Sequence, residues 1–162
     1  MPQFIAVSGQ SYSLGAYNPG IVPYISIDLG LTVNGDFQLD PVGNLQALTG
    51  NAKLEQDIKL FLLSPRGTSL MDPNWGNPVI SLLATAESFQ GQIEQAIGQA
   101  LVALQTYKNA EKTKRPLEAS ELINSIVNVN VAPETDTSNN IAVTITLTTE
   151  QDNMFVVRVP LT

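Results

Sequence analysis

Residues 51–76 read NAKLEQDIKLFLLSPRGTSLMDPNWG, and this stretch decides the fold. Leu54, Ile58, Phe61 and Leu62 fall at i, i+4, i+7 and i+8, one face of a helix. Gln56, Asp57 and Lys59 take the other side, so the helix is amphipathic. Ser64-Pro65 ends it, because a proline biases the preceding residue away from helical geometry. Arg66-Gly67-Thr68 continues as a turn. Asp72-Pro73-Asn74-Trp75-Gly76 is a second turn, with an aromatic residue set between turn formers.

Upstream, residues 24–31 alternate, with Ile25, Ile27, Leu29 and Leu31 pointing one way and Ser26, Asp28 and Gly30 the other. Asn34-Gly35 is a hairpin-turn signal, since a type I′ turn needs positive φ at both central residues. Phe37 and Leu39 continue a returning strand as far as Asp40-Pro41. Residues 42–50 form a connector, with Thr49 or Asn51 available to cap the helix. Residues 1–23 are rich in Gly, Ser, Asn and Pro and hold no lasting period beyond a short strand signal at Phe4, Ile5 and Val7. They read either as a terminal tail or as an extended arm laid on a neighbouring subunit, anchored by Tyr12, Leu14 and Tyr17.

Downstream, residues 79–83 are a short apolar run and residues 84–108 the longest helix. There Phe89, Ile93, Ile97, Ala100, Leu101, Leu104 and Tyr107 keep helical spacing, Thr85 stands at the N-cap and Glu87 in the first turn. Gly91 and Gly98 mark either a close neighbour or a cost that burial tolerates. Residues 109–115 form a charged linker that gathers Lys112, Lys114 and Arg115 beside Lys108, as a solvated loop or as a contact for an acidic partner. Residues 116–124 read as one or two helical turns entered at Pro116.

Three strand signals close the chain. Val127, Val129 and Val131 alternate in residues 126–131, Ile141, Val143, Ile145 and Leu147 in residues 141–148, and Phe155, Val157 and Val159 in residues 154–160. One apolar face and one Thr/Asn face mark an antiparallel sheet covered on one side only, and the long helix is its cover. No internal repeat is visible. The expectation is an α+β fold: a small single domain over residues 24–162, its antiparallel sheet built from an N-terminal hairpin and C-terminal strands and packed on two main helices.

The balance of 8 basic to 15 acidic residues argues against nucleic acid or an anionic membrane as partner. Cysteine and histidine are absent, which removes thiolate metal sites and leaves proton transfer to carboxylates, Lys or Tyr. No apolar run reaches the length of a membrane span, and the N-terminus lacks the pattern of a signal peptide. No metal-ligand cluster, phosphate loop or nucleophile–base spacing stands out, so neither a cofactor nor a catalytic set is expected. Asp72, beside Trp75, is the best single carboxylate for a carboxylate-based peptidoglycan hydrolase, which needs a second carboxylate and one raised pKa. Glu87 and Glu94 are its only nominal mates, and Asp-Pro is equally ordinary turn chemistry. Trp75, the sole tryptophan, serves either as a plug of its turn against the two helices or as an interface anchor.

The order QDIKLFLLSPRG followed by DPNWG resembles the baseplate wedge, or sheath-initiator, family of contractile phage tails, whose members are described as W-like or lysozyme-like. Gln56, Asp57, Ser64, Pro65, Arg66, Gly67, Asp72, Pro73, Trp75 and Gly76 carry the resemblance, which runs from about residue 25 to the C-terminus. It implies a structural subunit of the virion tail baseplate, assembled in the host cytoplasm. Its partners would be the tail sheath protein and other baseplate wedge and hub proteins. It further implies that the C-terminal sheet accepts strands from the sheath, with Ile141, Val143, Ile145, Leu147, Phe155, Val157 and Val159 on the strands concerned. The family's Glu-Pro-Arg wedge contact is missing here. Arg115 and Glu118 stand in its place as a rearranged version. The equivalent subunit of a phage-derived injection or secretion machine would read the same way.

Overall fold

The computed structural model describes residues 26–32, 35–70, 72–83, 90–133 and 141–161. The proposed arm with Tyr12, Leu14 and Tyr17, the turn residue Asn34, the cap Thr85 with Glu87 and Phe89, and the loop at 134–140 lie outside the described residues. Three helices are described, α1 (Gly50–Leu63), α2 (Val79–Leu83) and α3 (Gln90–Lys112), with a 3-10 turn at Ala119–Glu121. A two-stranded antiparallel sheet pairs β1 (Asp28–Leu29) with β2 (Ala47–Leu48). A three-stranded antiparallel sheet has the order β3 (Ile123–Pro133), β4 (Ile141–Thr149), β5 (Met154–Leu161). The architecture is the expected α+β one, except that the N-terminal strands form a sheet of their own.

The core lies between the helices and one face of the larger sheet. Leu54, Ile58, Phe61 and Leu62 of α1 are buried, as are Ile93, Ile97, Leu101 and Leu104 of α3. They meet Val143, Ile145 and Leu147 of β4 and Val157, Val159 and Leu161 of β5. Each such side chain contributes about 1.5–3 kcal/mol by leaving water. β3 departs from the expected alternation. Its register on β4 slips between Ile123 and Ser125 and again between Ile126 and Asn128. A bulge inserts one residue and breaks the period of two, so Val127 faces outward while Val131 is buried.

Helix α3 continues through Lys112, four residues past the expected end and into the supposed linker. A Cβ on Gly91 or Gly98 would meet nothing within 4 Å, so neither glycine serves a close neighbour among the described residues. The helical reading of residues 116–124 shrinks to the 3-10 turn, and β3 begins at Ile123. Thr49 holds the N-cap position of α1, yet its hydroxyl makes no capping bond.

The expected N-terminal hairpin is a different object. Leu31 bridges Phe37, but Leu39 also bridges Leu45, and Leu29 pairs with Ala47. The Gly30 N–H donates to Gln46 O at 2.7 Å, the Gln38 N–H to Gly30 O at 2.7 Å, and the Gln46 N–H to Gln38 O at 2.8 Å. Three segments thus close into a triangle, each bonded to the other two. Three strands cannot all run antiparallel in one plane, so each pairing lasts only one or two residues. The three central positions are eight residues apart, and the chain around them repeats as DLGL, DFQL and NLQA. A short internal repeat therefore exists where none was expected. Gly30 packs closely on Gln38: a Cβ there would lie 2.9 Å from Gln38 Oε1 and 3.3 Å from Gln38 Cβ, so a larger residue would push that side chain aside.

The polar side of α1 faces solvent only in part: Lys59 pairs with Glu55, their side chains 36% and 38% exposed, and the other polar residues face protein. Gln56 is buried; its amide donates to Leu29 O at 2.9 Å and accepts from the Leu31 N–H at 2.7 Å. Lys53, also buried, donates to Ser26 Oγ and, at 2.8 Å, to Glu121 Oε2. Asp57 forms an ion pair with Lys108 of α3, their side chains 16% and 5% exposed. Burial pushes the Asp57 carboxyl upward, against the pull of the Lys108 ammonium. Asp57→Asn is expected to strand a buried cation and cost about 3–5 kcal/mol, read by urea unfolding. Asp57→Leu combined with Lys108→Met should recover most of that loss.

Candidate functional site

The motif residues after α1 build two facing loops. The Arg66 N–H donates to Asn77 O at 3.2 Å and the Asn77 N–H to Ser64 O at 3.0 Å, a short parallel bridge between Pro65 and Asn77. The Asn77 amide donates to Phe61 O, and its oxygen accepts the Val79 N–H at 2.8 Å, so one side chain closes α1 and opens α2. Gly67 and Gly76 sit at φ +84 and +99. At Gly76 a Cβ would lie 2.5 Å from Ser64 O and 2.8 Å from Pro65 O, so only glycine lets the loops touch. Pro73 occupies the turn that returns the chain to Trp75. The Trp75 ring meets Phe61 edge-on at 4.9 Å and Tyr107 at 5.5 Å, joining α1 to α3. It plugs the turn against the two helices.

Asp72 is held by the same aromatic cluster. Its carboxylate accepts the Tyr107 hydroxyl at 2.7 Å and the Asn74 N–H at 2.9 Å. The Tyr107 bond, with the Asn74 N–H second, keeps this carboxyl below the usual range. A general acid in glycoside hydrolysis needs the opposite shift. Glu94 is no free mate, because its carboxylate accepts from Gln90 Nε2 at 3.0 Å and from the Val131 N–H at 3.3 Å. A cavity of about 390 Å³ opens between α1, α3 and the Trp75 turn, with Asp57, Tyr107 and Lys108 in its wall. Asp57 is pushed upward there, but its ion pair with Lys108 makes it a strut between helices.

The basic residues near the end of α3 are spent largely within the chain. Lys108 holds Asp57, Lys112 holds Glu150 at 2.7 Å, and Arg115 holds Glu111. Lys112 and Lys114 remain exposed. Arg115 and Glu118, placed in the family's wedge-contact position, have local partners: Arg115 has Glu111, and Glu118 Oε2 accepts the Ser120 hydroxyl at 3.2 Å. No group of His, Cys, Asp or Glu able to hold a metal ion occurs among the described residues. No described helix is long and apolar enough to cross a membrane.

The larger sheet has two unequal edges. On the β3 side, side chains of α3 bond main-chain groups near both ends of the strand. Gln90 Nε2 donates to Val131 O at 2.8 Å, Glu94 accepts from Val131 N, and Gln105 Nε2 donates to Ile123 O at 2.9 Å. β4 is interior and paired on both sides, so Ile141, Val143, Ile145 and Leu147 belong to core packing and their strand presents no edge. On the far side of β5 no strand pairs among the described residues. Phe155, Val157 and Val159 point into the core, while Met154 and Val156 are exposed at 70% and 56%. Pro160 is tolerated in β5 because an edge proline can turn its missing N–H away from the sheet. Met154 and Val156, in phase with it, then direct their N–H groups outward.

No family model and no curated relative matches the chain. Among solved structures, the chain is similar to a protein of Geobacter sulfurreducens described as a "putative tail lysozyme". The TM-score is 0.51 at 16% identity, over 67% of this chain and 86% of that one. The two share a fold.

The Tyr107–Asp72 bond has a pH signature. A lowered carboxyl adds stability above the ordinary carboxylate range, and that stability is lost as pH falls through the folded-state pKa. Tyr107→Phe should raise the Asp72 titration seen by carboxyl NMR. It should also destabilise the protein at neutral pH by an amount that shrinks as pH falls through the carboxylate range.

Proposed function

We propose that the protein is a structural baseplate subunit of a contractile phage tail, and that it starts sheath assembly by accepting a β-strand along β5. The observation that carries this reading is the asymmetry of the sheet: Gln90, Glu94 and Gln105 of α3 take main-chain groups near both ends of β3, whereas β5 has no paired strand on its far side among the described residues. An open edge offers N–H and C=O groups in register, and a rigid sheet loses little entropy when a strand is added. The motif over residues 56–76 and the fold shared with a tail-associated protein support the same assignment. The helices and the Trp75 turn would act as the frame that keeps the edge straight. The equivalent subunit of a phage-derived injection machine would use the same chemistry. A peptidoglycan hydrolase acting through Asp72 is the weaker reading, because the Tyr107 hydrogen bond favours the ionised carboxylate over the proton donor.

The test is seeded polymerisation of the sheath subunit encoded with this chain, followed by light scattering. Val156→Pro removes an outward N–H and leaves the β4–β5 ladder in place, so the variant should fold and fail to seed. A folded Val156→Pro protein that seeds at the wild-type rate sinks the strand-addition reading. Val157→Pro should unfold the sheet itself, because that residue faces β4.

A further inference from the structure

The triangular N-terminal lobe has its apolar side chains on the outside. Gly30 is buried against Gln38, whose side chain lies beside it. Leu29, Phe37, Leu39, Val42 and Leu45 are left 39%, 58%, 60%, 81% and 50% exposed. The lobe is held by main-chain bonds and by the Gln56 amide. Their exposure around one small projection is the pattern of a docking surface.

Charge selects the occupant. Residues 1–52 contain no Lys or Arg, and their charged side chains are Asp28, Asp36 and Asp40. Asp40 is committed to its own turn, accepting the Val42 and Asn44 N–H groups at 3.0 and 2.8 Å. Asp36 is exposed beside Phe37. Asp28 lines the cavity that also holds Lys53 and Lys108, so Asp36 is the aspartate left to face a partner, and a lobe without a cation favours a basic surface over nucleic acid or anionic lipid. We propose that this lobe is a second interaction surface, separate from the β5 edge, and that it seats against a protein surface whose apolar face is rimmed by Lys and Arg. Apolar burial would supply affinity, and Asp36 would supply orientation and on-rate.

The probe is a short amphipathic peptide of Leu and Lys, compared with its Leu and Glu counterpart, titrated into the full chain by NMR. The expected result is saturable binding of the Leu/Lys peptide, with shift changes centred on residues 28–48 and an affinity that falls with salt. Phe37→Ser with Leu39→Ser should weaken it at least about tenfold, a loss of about 1.4 kcal/mol, with the circular dichroism spectrum unchanged. Asp36→Lys should weaken the Leu/Lys peptide and admit the Leu/Glu one. Equal binding of both peptides by the wild type, shift changes centred elsewhere, or no binding overturns the proposal. Concentration-dependent self-association abolished by the Phe37/Leu39 pair would assign the face to a second copy instead. An apolar-dye signal unchanged by that pair, together with no peptide binding, would mean that the chain covers the lobe itself.

Discussion

Helix α1 is held on both sides, and the rest of the molecule depends on its polar side. Lys53, Gln56 and Asp57 follow one another over little more than a turn, and each reaches a different part of the chain. Lys53 takes Ser26 and Glu121, Gln56 takes the Leu29–Leu31 backbone, and Asp57 takes Lys108. A buried charge or amide without a partner is costly, so these contacts fix the relative placement of lobe, 3-10 turn and α3. The apolar side of α1 contributes the larger energy, but many packings bury Leu54 and Ile58. Far fewer satisfy the three polar groups together.

The same logic explains the residues that carry the family resemblance. Gln56 and Asp57 tie α1 to its neighbours. Gly76 lets two loops meet, and Trp75 with Tyr107 and Asp72 locks the turn between helices. These are framework roles. Among the described residues, the unpaired strand edge and the exposed apolar side chains lie elsewhere, on β5 and on the N-terminal lobe, and those side chains have ordinary identities: Val156, Met154, Leu39, Phe37. The motif in this chain thus reports how the scaffold is held, while the two proposed interaction surfaces rest on what the fold leaves exposed among the described residues.

Much of the fold was legible in periodicity. The 3.6-residue spacing located α1 and α3, and alternation located β4 and β5 to within a residue. Alternation misled in β3, because a bulge turns Val127 out of phase, and no single residue announces a bulge. It misled again in the N-terminal segment, where Asn34-Gly35 suggested one hairpin. The eight-residue recurrence of DLGL, DFQL and NLQA was the available signal for a closed triangle, but each unit is too short to register as a period when read strand by strand. The strands named for sheath contact were placed correctly in sequence. Whether each is an edge depends on sheet order, which alternation does not encode.

The sequence by itself determined which segments are helical or extended, which apolar residues enter the core, and that glycines and prolines punctuate residues 64–76. Those are local consequences of side-chain spacing and backbone sterics. Only the tertiary structure decided that Lys53, Gln56 and Asp57 face protein, that Asp72 accepts the Tyr107 hydroxyl, that α3 side chains bond the ends of β3, and that Leu29, Phe37, Leu39 and Leu45 of the lobe are exposed. The reason is physical: a polar side chain has the same periodicity whether it meets water or a buried partner, and the partner comes from a segment distant in the chain.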